Sequence, residues 1–311
     1  MLAVVNFSGM KFSSLTNIIC TAIEFSGLLL VVVVGLLFLA RGGGDVAVVA
    51  AAPGGEGIEW GAIFRGSALA FFAFIGFEDM VNVAEETHRP ERNLPLAILT
   101  ALGVAAVLYM LIAWIATAVV PTAELAASSA PLLEVVKRAA PWVPAWLFVI
   151  IALVAVSNTA LLNFIMGSRL LFGMSRQQLL PAWLGVVHRH TRTPHRAILV
   201  MFVLALILAL SGTLKTLAGT TNVLLLIVFF TVNIALATLK LREPPPTSGF
   251  RVPILVPIAG ALSCAGLIFF VPYDALRTAA VLIAIGLAIV AIFWLRTPPN
   301  RRSELDLTEL E

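Results

Sequence analysis

Charge is scarce in this 311-residue chain: 12% of residues are Asp, Glu, Lys or Arg against 60% hydrophobic ones, and mean hydropathy is +1.02. A soluble domain of that length needs far more polar surface, which excludes an ordinary soluble protein. Cysteine is nearly absent. Cys20 and Cys264 both fall inside apolar runs and read as small packing residues rather than a disulfide or metal pair. The four histidines, His88, His188, His190 and His195, all lie between apolar runs, so no run carries a histidine for a proton relay. No GxxxxGK[ST] occurs, so the chain has no ATP-binding loop of its own. The stretch GGGDVA from Gly42 is distantly similar to a dinucleotide fingerprint, but no strand precedes it. No Ser–His–Asp, Cys–His or metal constellation is visible, which argues against an enzyme and against any cofactor.

What is present is long apolar runs. Eight spans, roughly 15–40, 62–84, 96–120, 143–173, 196–212, 216–240, 253–273 and 275–296, are the fewest that account for them. Each is near the ~20 residues needed to cross a bilayer core. The runs are continuous rather than alternating, which selects helices over a barrel. The expectation is an all-α polytopic membrane protein forming one membrane domain over 1–311, with a tail at 297–311. The first run is too long and too poorly flanked for a signal peptide, and it carries Glu24. An even number of spans puts both termini on one side. Fourteen of the twenty Lys and Arg then fall on the terminal side, so cytoplasmic termini in the plasma (cell inner) membrane are expected.

The most informative stretch is FFAFIGFEDMVNVAEETHRPERNLP, from Phe71 to Pro95. It starts as a bilayer segment and then places Glu78 and Asp79 where hydrocarbon should continue. Ionisable groups at that depth mark a pathway or site by default. Neighbours on a helix point ~100° apart, so a continuous lipid-facing helix could not shelter both acids. Either the helix lies deep in a bundle or it unwinds near Gly76 and lines a cavity. The bland alternative is an apolar run that ends early, with Glu78 at the interface; against it, Met80, Val81, Val83 and Ala84 resume the apolar character. Beyond lie Glu85, Glu86, Arg89, Glu91 and Arg92. Glu85 and Arg89 have the i,i+4 spacing of an ion pair, suiting either a cytoplasmic gate or a solvated connector. In the fourth span Ser157, Asn158, Thr159 and Asn163 form a polar turn that either bonds to neighbouring helices or faces an ion route. Arg169 and Arg176 share a face and suit snorkelling to headgroups; Arg169 could instead meet Glu85 and Glu86.

The segment GFEDMVNVAEETHRPERNLPLAI resembles the sixth-helix signature of the amino acid–polyamine–organocation (APC) permeases, GFE…EE…NPERNIPRAI. Arg89 stands where Asn is usual and Leu96 where Arg is common; the GFE core is intact. Three further segments fit in order: the start, NFSGMKFSSLTNIICTAIEFSGLLL, resembles the entry to the fifth helix; 157–181 the eighth helix with its SRLLF; and 242–257 the FRVP segment before the eleventh.

This resemblance implies a partial leucine-transporter-like inverted-repeat fold holding the fifth to twelfth helices, without the first four. It implies amino acid or amine transport by alternating access, as a proton symporter or exchanger. The missing first helix would hold the substrate carboxylate. The sixth-helix break, Phe71, Ala73, Phe74, Ile75 and Gly76, would receive the amino group on backbone carbonyls. Glu78 would orient the break by accepting hydrogen bonds, with Asp79, Glu85, Glu86, Arg89 and Arg169 at the gate. Glu24 falls at or near a position where some relatives carry a coupling lysine and others bind sodium. With Ser157 and Asn158 it is a candidate for proton or ion coupling, or equally a polar group bonded to a neighbouring helix. The competing expectation is a non-transporting membrane subunit, or a half that needs a separately encoded N-terminal half. The expected partners are an amino acid or amine, the bilayer and a coupling proton, with no nucleic acid.

Overall fold

The structure is a computed structural model that describes residues 10–46, 59–187, 193–242 and 250–296; the side chains of 10–16, 82, 83, 85, 86 and 293–296 lie outside that description. The tail at 297–311 and His188 and His190 are likewise outside it. Among the described residues every regular element is helical. In chain order these are α1 (Met10–Ala40), α2 (Trp60–Phe74), a 3-10 segment (Phe77–Glu86), α3 (Pro90–Val119), α4 (Thr122–Ala127) and α5 (Pro131–Ala139). They continue with α6 (Ala145–Arg176), a short 3-10 turn (Ala182–Gly185), α7 (His195–Ser211), α8 (Leu214–Arg242), α9 (Leu255–Ile268) and α10 (Tyr273–Arg296).

Six segments are long and apolar enough to cross a membrane by length and composition: Asn17–Ala40, Trp60–Val81, Pro90–Val119, Ala145–Arg176, Leu214–Arg242 and Tyr273–Ile292. The expected runs at 196–212 and 253–273 form helices of 17 and 14 residues. The span expected at 62–84 is not one helix, because α2 stops at Phe74. Large apolar side chains face outward along these helices; Leu210 of α7, for example, is 80% exposed. In water such surfaces would drive association, whereas in lipid tails they are solvated.

The chain divides into two compact units, residues 1–60 with 76–165 and residues 61–75 with 166–311. In the first, Val31 of α1, Ile115 of α3 and Val135 and Val136 of α5 are fully buried in one cluster. Lipid tails are as apolar as these side chains, so helix contact in a membrane depends on close van der Waals fit. Gly35 supplies that fit: a Cβ there would collide with Cγ2 of Ile115. Helix α5 opens on Pro131 and carries Lys137 and Arg138 in its last turn, as the helix ends favour. Its exposed side bears Lys137–Glu134 at 2.9 Å and Arg138–Glu124 at 3.4 Å, surface pairs worth about 0–1 kcal/mol each.

In the second unit α8 runs against α9 and α10. Ala68 of α2, Val223 of α8 and Val271, Ala275 and Ala279 form its core. Small residues again set the approach, with Gly219 opposite Ala275 and Gly260 opposite Asn233. Lys240 Nζ donates to the Val252 carbonyl at 2.7 Å, tying the end of α8 to the chain that enters α9.

Candidate functional site: a glycine break held by a carboxylate

Helix α2 is 15 residues long, about 22 Å at 1.5 Å per residue, and so ends short of a full bilayer core. Its end is set by Gly76, whose φ of 122° is a conformation that a side chain would resist. The peptide N–H of Gly76 donates to Glu78 Oε2 at 2.8 Å. A carboxylate two residues ahead thus takes the place of the main-chain acceptor that a continuing helix would provide.

After the break the chain does not resume an α-helix. Phe77–Glu86 forms ten residues of 3-10 helix, longer than the three or four usual for that geometry, and such stretches often mark hinges or strain. Thr87 N–H closes it on the Ala84 carbonyl at 3.1 Å. Arg89 then adopts a left-handed conformation, φ 49°, and Pro90 opens α3. The reversal is clamped by Asn93, whose Nδ2 donates to the His88 carbonyl at 2.6 Å. Glu85 and Arg89 therefore do not share a face of one continuous α-helix, because the 3-10 segment ends before the left-handed turn. The side chains of Glu85 and Glu86 lie outside the description, and Arg89 is exposed.

Of the residues before the break, Phe71, Phe74 and Ile75 are half-buried, while Phe72 and Ala73 are exposed. Phe71 packs edge-to-face on Phe229 of α8, with ring centroids 6.1 Å apart. Glu78 and Asp79 are half-buried, and Asp79 N–H donates to the Gly76 carbonyl at 3.3 Å. Upstream in α2, the Ala68 carbonyl accepts from Asn222 Nδ2 of α8 at 2.8 Å. Asn222 is 2% exposed, and its Oδ1 has no partner among the described residues. Sequence reasoning passed over this residue. The available signal was an amide within the apolar run of α8, which is costly in hydrocarbon unless bonded.

The polar turn of α6 is sorted by helical geometry. Asn158 is 4% exposed and its Nδ2 donates to Glu24 Oε1 of α1 at 2.9 Å. Its Oδ1 has no partner among the described residues. Ser157, a neighbour ~100° round the helix, is exposed and stands apart from this pair. Arg169 is half-buried further along α6.

Apolar helices sheathed in outward-facing hydrocarbon, one of them interrupted by a glycine and a carboxylate, define a polytopic integral membrane protein of all-α fold. The family profile described as amino acid permease matches residues 1–296. The chain belongs to that family, within the APC superfamily. An uncharacterized transporter of Mycobacterium tuberculosis is 29% identical over 307 residues, covering 97% of this chain and 66% of the relative. The branched-chain amino acid permease BcaP of Bacillus subtilis is 31% identical over 237 residues, 75% of this chain and 51% of its own. The methylthioribose transporter of Bacillus subtilis is 29% identical over 233 residues, 74% of this chain and 50% of its own. The chain thus spans from half to about two thirds of the length of these relatives.

Proposed function

We propose that these residues form the substrate-handling and coupling half of a secondary transporter for amino acids or related amines. The observation that carries the reading is the Gly76–Glu78 contact at the end of an apolar helix that stops short of the bilayer width. Broken helices present main-chain carbonyls at membrane depth only where they line a cavity, and in transporters such cavities hold the solute. Carbonyls of Phe71, Ala73, Phe74, Ile75 and Gly76 would receive the substrate ammonium, and Phe71 or Phe74 would cover it. Glu78 holds the break in register. Asp79, Glu85, Glu86, Arg89 and Arg169 form the inner gate, and Glu24 with Asn158 couples transport to a proton or other ion, with Ser157 on the adjoining face of α6.

In this reading eight spans, about 15–40 to 275–296, form one membrane domain in the plasma membrane, with both termini and the tail at 297–311 cytoplasmic. Transport proceeds by alternating access of a leucine-transporter-like fold. The carboxylate-binding helix and its three followers are not among residues 1–311, so the complete site needs them from a longer reading frame or a separate chain. The second reading, a non-transporting subunit or split half, draws on the same partial coverage of the relatives.

The test has two steps. The DNA before Met1 is sequenced for an in-frame stretch encoding four further spans. Uptake of radiolabelled amino acids into proteoliposomes is then measured for the chain alone and for the longest reading frame. Uptake by the longer form supports the permease. No uptake by either, with the protein folded, favours the subunit.

A further inference from the structure

We propose that the second unit carries a small-molecule site separate from the helix break, built to hold a compound with an anionic group and an N–H donor a few atoms apart. A cavity of about 280 Å³ lies where the N-terminal parts of α2 and α8 meet the α9–α10 connection. Its wall is largely apolar, with Phe270, Val271 and Pro272 of the α9–α10 connection and Gly219 of α8. Three polar side chains line it: Arg65, Lys215 and Asn222.

Each polar group specifies part of the ligand. Arg65 and Lys215 are exposed cations, no carboxylate lines the cavity, and neither makes an ion pair among the described residues. Two cations converging on an apolar hollow select an anion. Asn222 is 2% exposed; its Nδ2 is spent on the Ala68 carbonyl, and its Oδ1 accepts from no described group. A carboxamide oxygen accepts hydrogen bonds and donates none, so it calls for a donor and not an anion. Lys215 and Asn222 are seven residues apart, which places them on the same face of α8, about two turns from each other. Arg65 is one turn from Ala68, the residue that braces Asn222. Both cations and Asn222 therefore border one hollow from two helices.

An anion alone leaves Oδ1 unmet, and an amine alone leaves both cations unmet. A small zwitterion answers both, its anionic group on Arg65 and Lys215 and its ammonium on Asn222 Oδ1. Two sources share that chemistry: a free amino acid and a phosphatidylethanolamine headgroup. Phosphatidylcholine does not, because its quaternary ammonium has no N–H to donate. Only the choice of a free amino acid as occupant rests on the transport reading above.

The experiment uses the full chain in phosphatidylcholine nanodiscs, titrated calorimetrically with L-leucine, with 4-methylpentanoate (no ammonium) and with isoamylamine (no carboxylate). The expected result is leucine binding that weakens about tenfold or more for either analogue and for the double variant Arg65→Gln/Lys215→Gln. A parallel arm counts co-purifying lipids by mass spectrometry. Phosphatidylethanolamine retained over phosphatidylcholine in the wild type, and lost in the double variant, assigns the same site to the headgroup. The site is overturned if leucine does not bind and no ethanolamine lipid is selected. It is equally overturned if the analogues match leucine, or if leucine binding is indifferent to Arg65→Gln/Lys215→Gln and abolished by Gly76→Leu. Uptake is measured separately: transport without any binding sensitive to the double variant removes this site and leaves the permease reading standing, whereas such binding without transport supports the site alone.

Discussion

Asn158 Nδ2 donates to Glu24 Oε1 across 2.9 Å, joining α1 to α6 by a part-buried bond between one amide and one carboxyl group. Interhelical polar bonds in membranes are worth about 0.6 kcal/mol on average and at most about 1.7. Asn158→Leu removes the donor and is expected to destabilise the protein by that order, read as a lowered midpoint in thermal unfolding in detergent. Glu24→Gln keeps an acceptor oxygen and should leave the midpoint near wild type. If Glu24 carries the coupling proton, Glu24→Gln also abolishes the response of uptake to an imposed pH gradient while solute exchange persists. A pH-gradient response equal to wild type removes Glu24 from coupling.

Gly76 offers a backbone test. Its φ of 122° tolerates no Cβ without strain, although open space surrounds it. Gly76→Ala is therefore expected to cost about 1–2 kcal/mol through the backbone alone. The measurement is chemical or thermal unfolding beside Gly103→Ala, a mid-helix glycine of α3 that also has open space, where alanine should be neutral or stabilising.

Close approach of α1 and α3 is tested at Gly35. A Cβ there meets Cγ2 of Ile115, which is itself fully buried, so Gly35→Val overpacks the seam. The expected loss is about 1–3 kcal/mol. Gly35→Val combined with Ile115→Ala should recover part of it, since the clash is with that side chain. No recovery would place the strain elsewhere.

Phe71→Leu removes the edge-to-face contact with Phe229 and should cost about 0.5–1.5 kcal/mol beyond the change in area. A double-mutant cycle with Phe229→Leu isolates that coupling. A coupling of zero would show that the two rings only touch.

The break was legible in the sequence because Gly76, Glu78 and Asp79 interrupt an apolar run, and no lipid-facing helix accommodates two adjacent acids. The conformation of residues 77–89 was not legible. Ten residues of 3-10 helix have no side-chain signature distinct from an α-helix, so Glu85 and Arg89 read as an i,i+4 pair although Arg89 sits in a left-handed turn. The polar turn of α6 announced itself, but Ser157 and Asn158 are indistinguishable until helix rotation is known; only Asn158 reaches Glu24. Asn222 was missed because α8 carries two amides, Asn222 and Asn233, that the sequence does not distinguish, and the bond of Asn222 to a main-chain carbonyl 154 residues earlier is set by tertiary placement alone.

The most direct test compares initial uptake of radiolabelled leucine by wild type, Glu78→Ala and Glu124→Ala in the longest reading frame that contains this chain, at equal amounts of folded protein. Glu78 accepts the Gly76 N–H at the break, whereas the Glu124 side chain makes an exposed 3.4 Å pair with Arg138. Loss of the side-chain acceptor that holds the break predicts a fall of about tenfold or more for Glu78→Ala, with Glu124→Ala within about twofold of wild type. Equal uptake by the two variants would contradict the assignment of the break as the substrate-handling element.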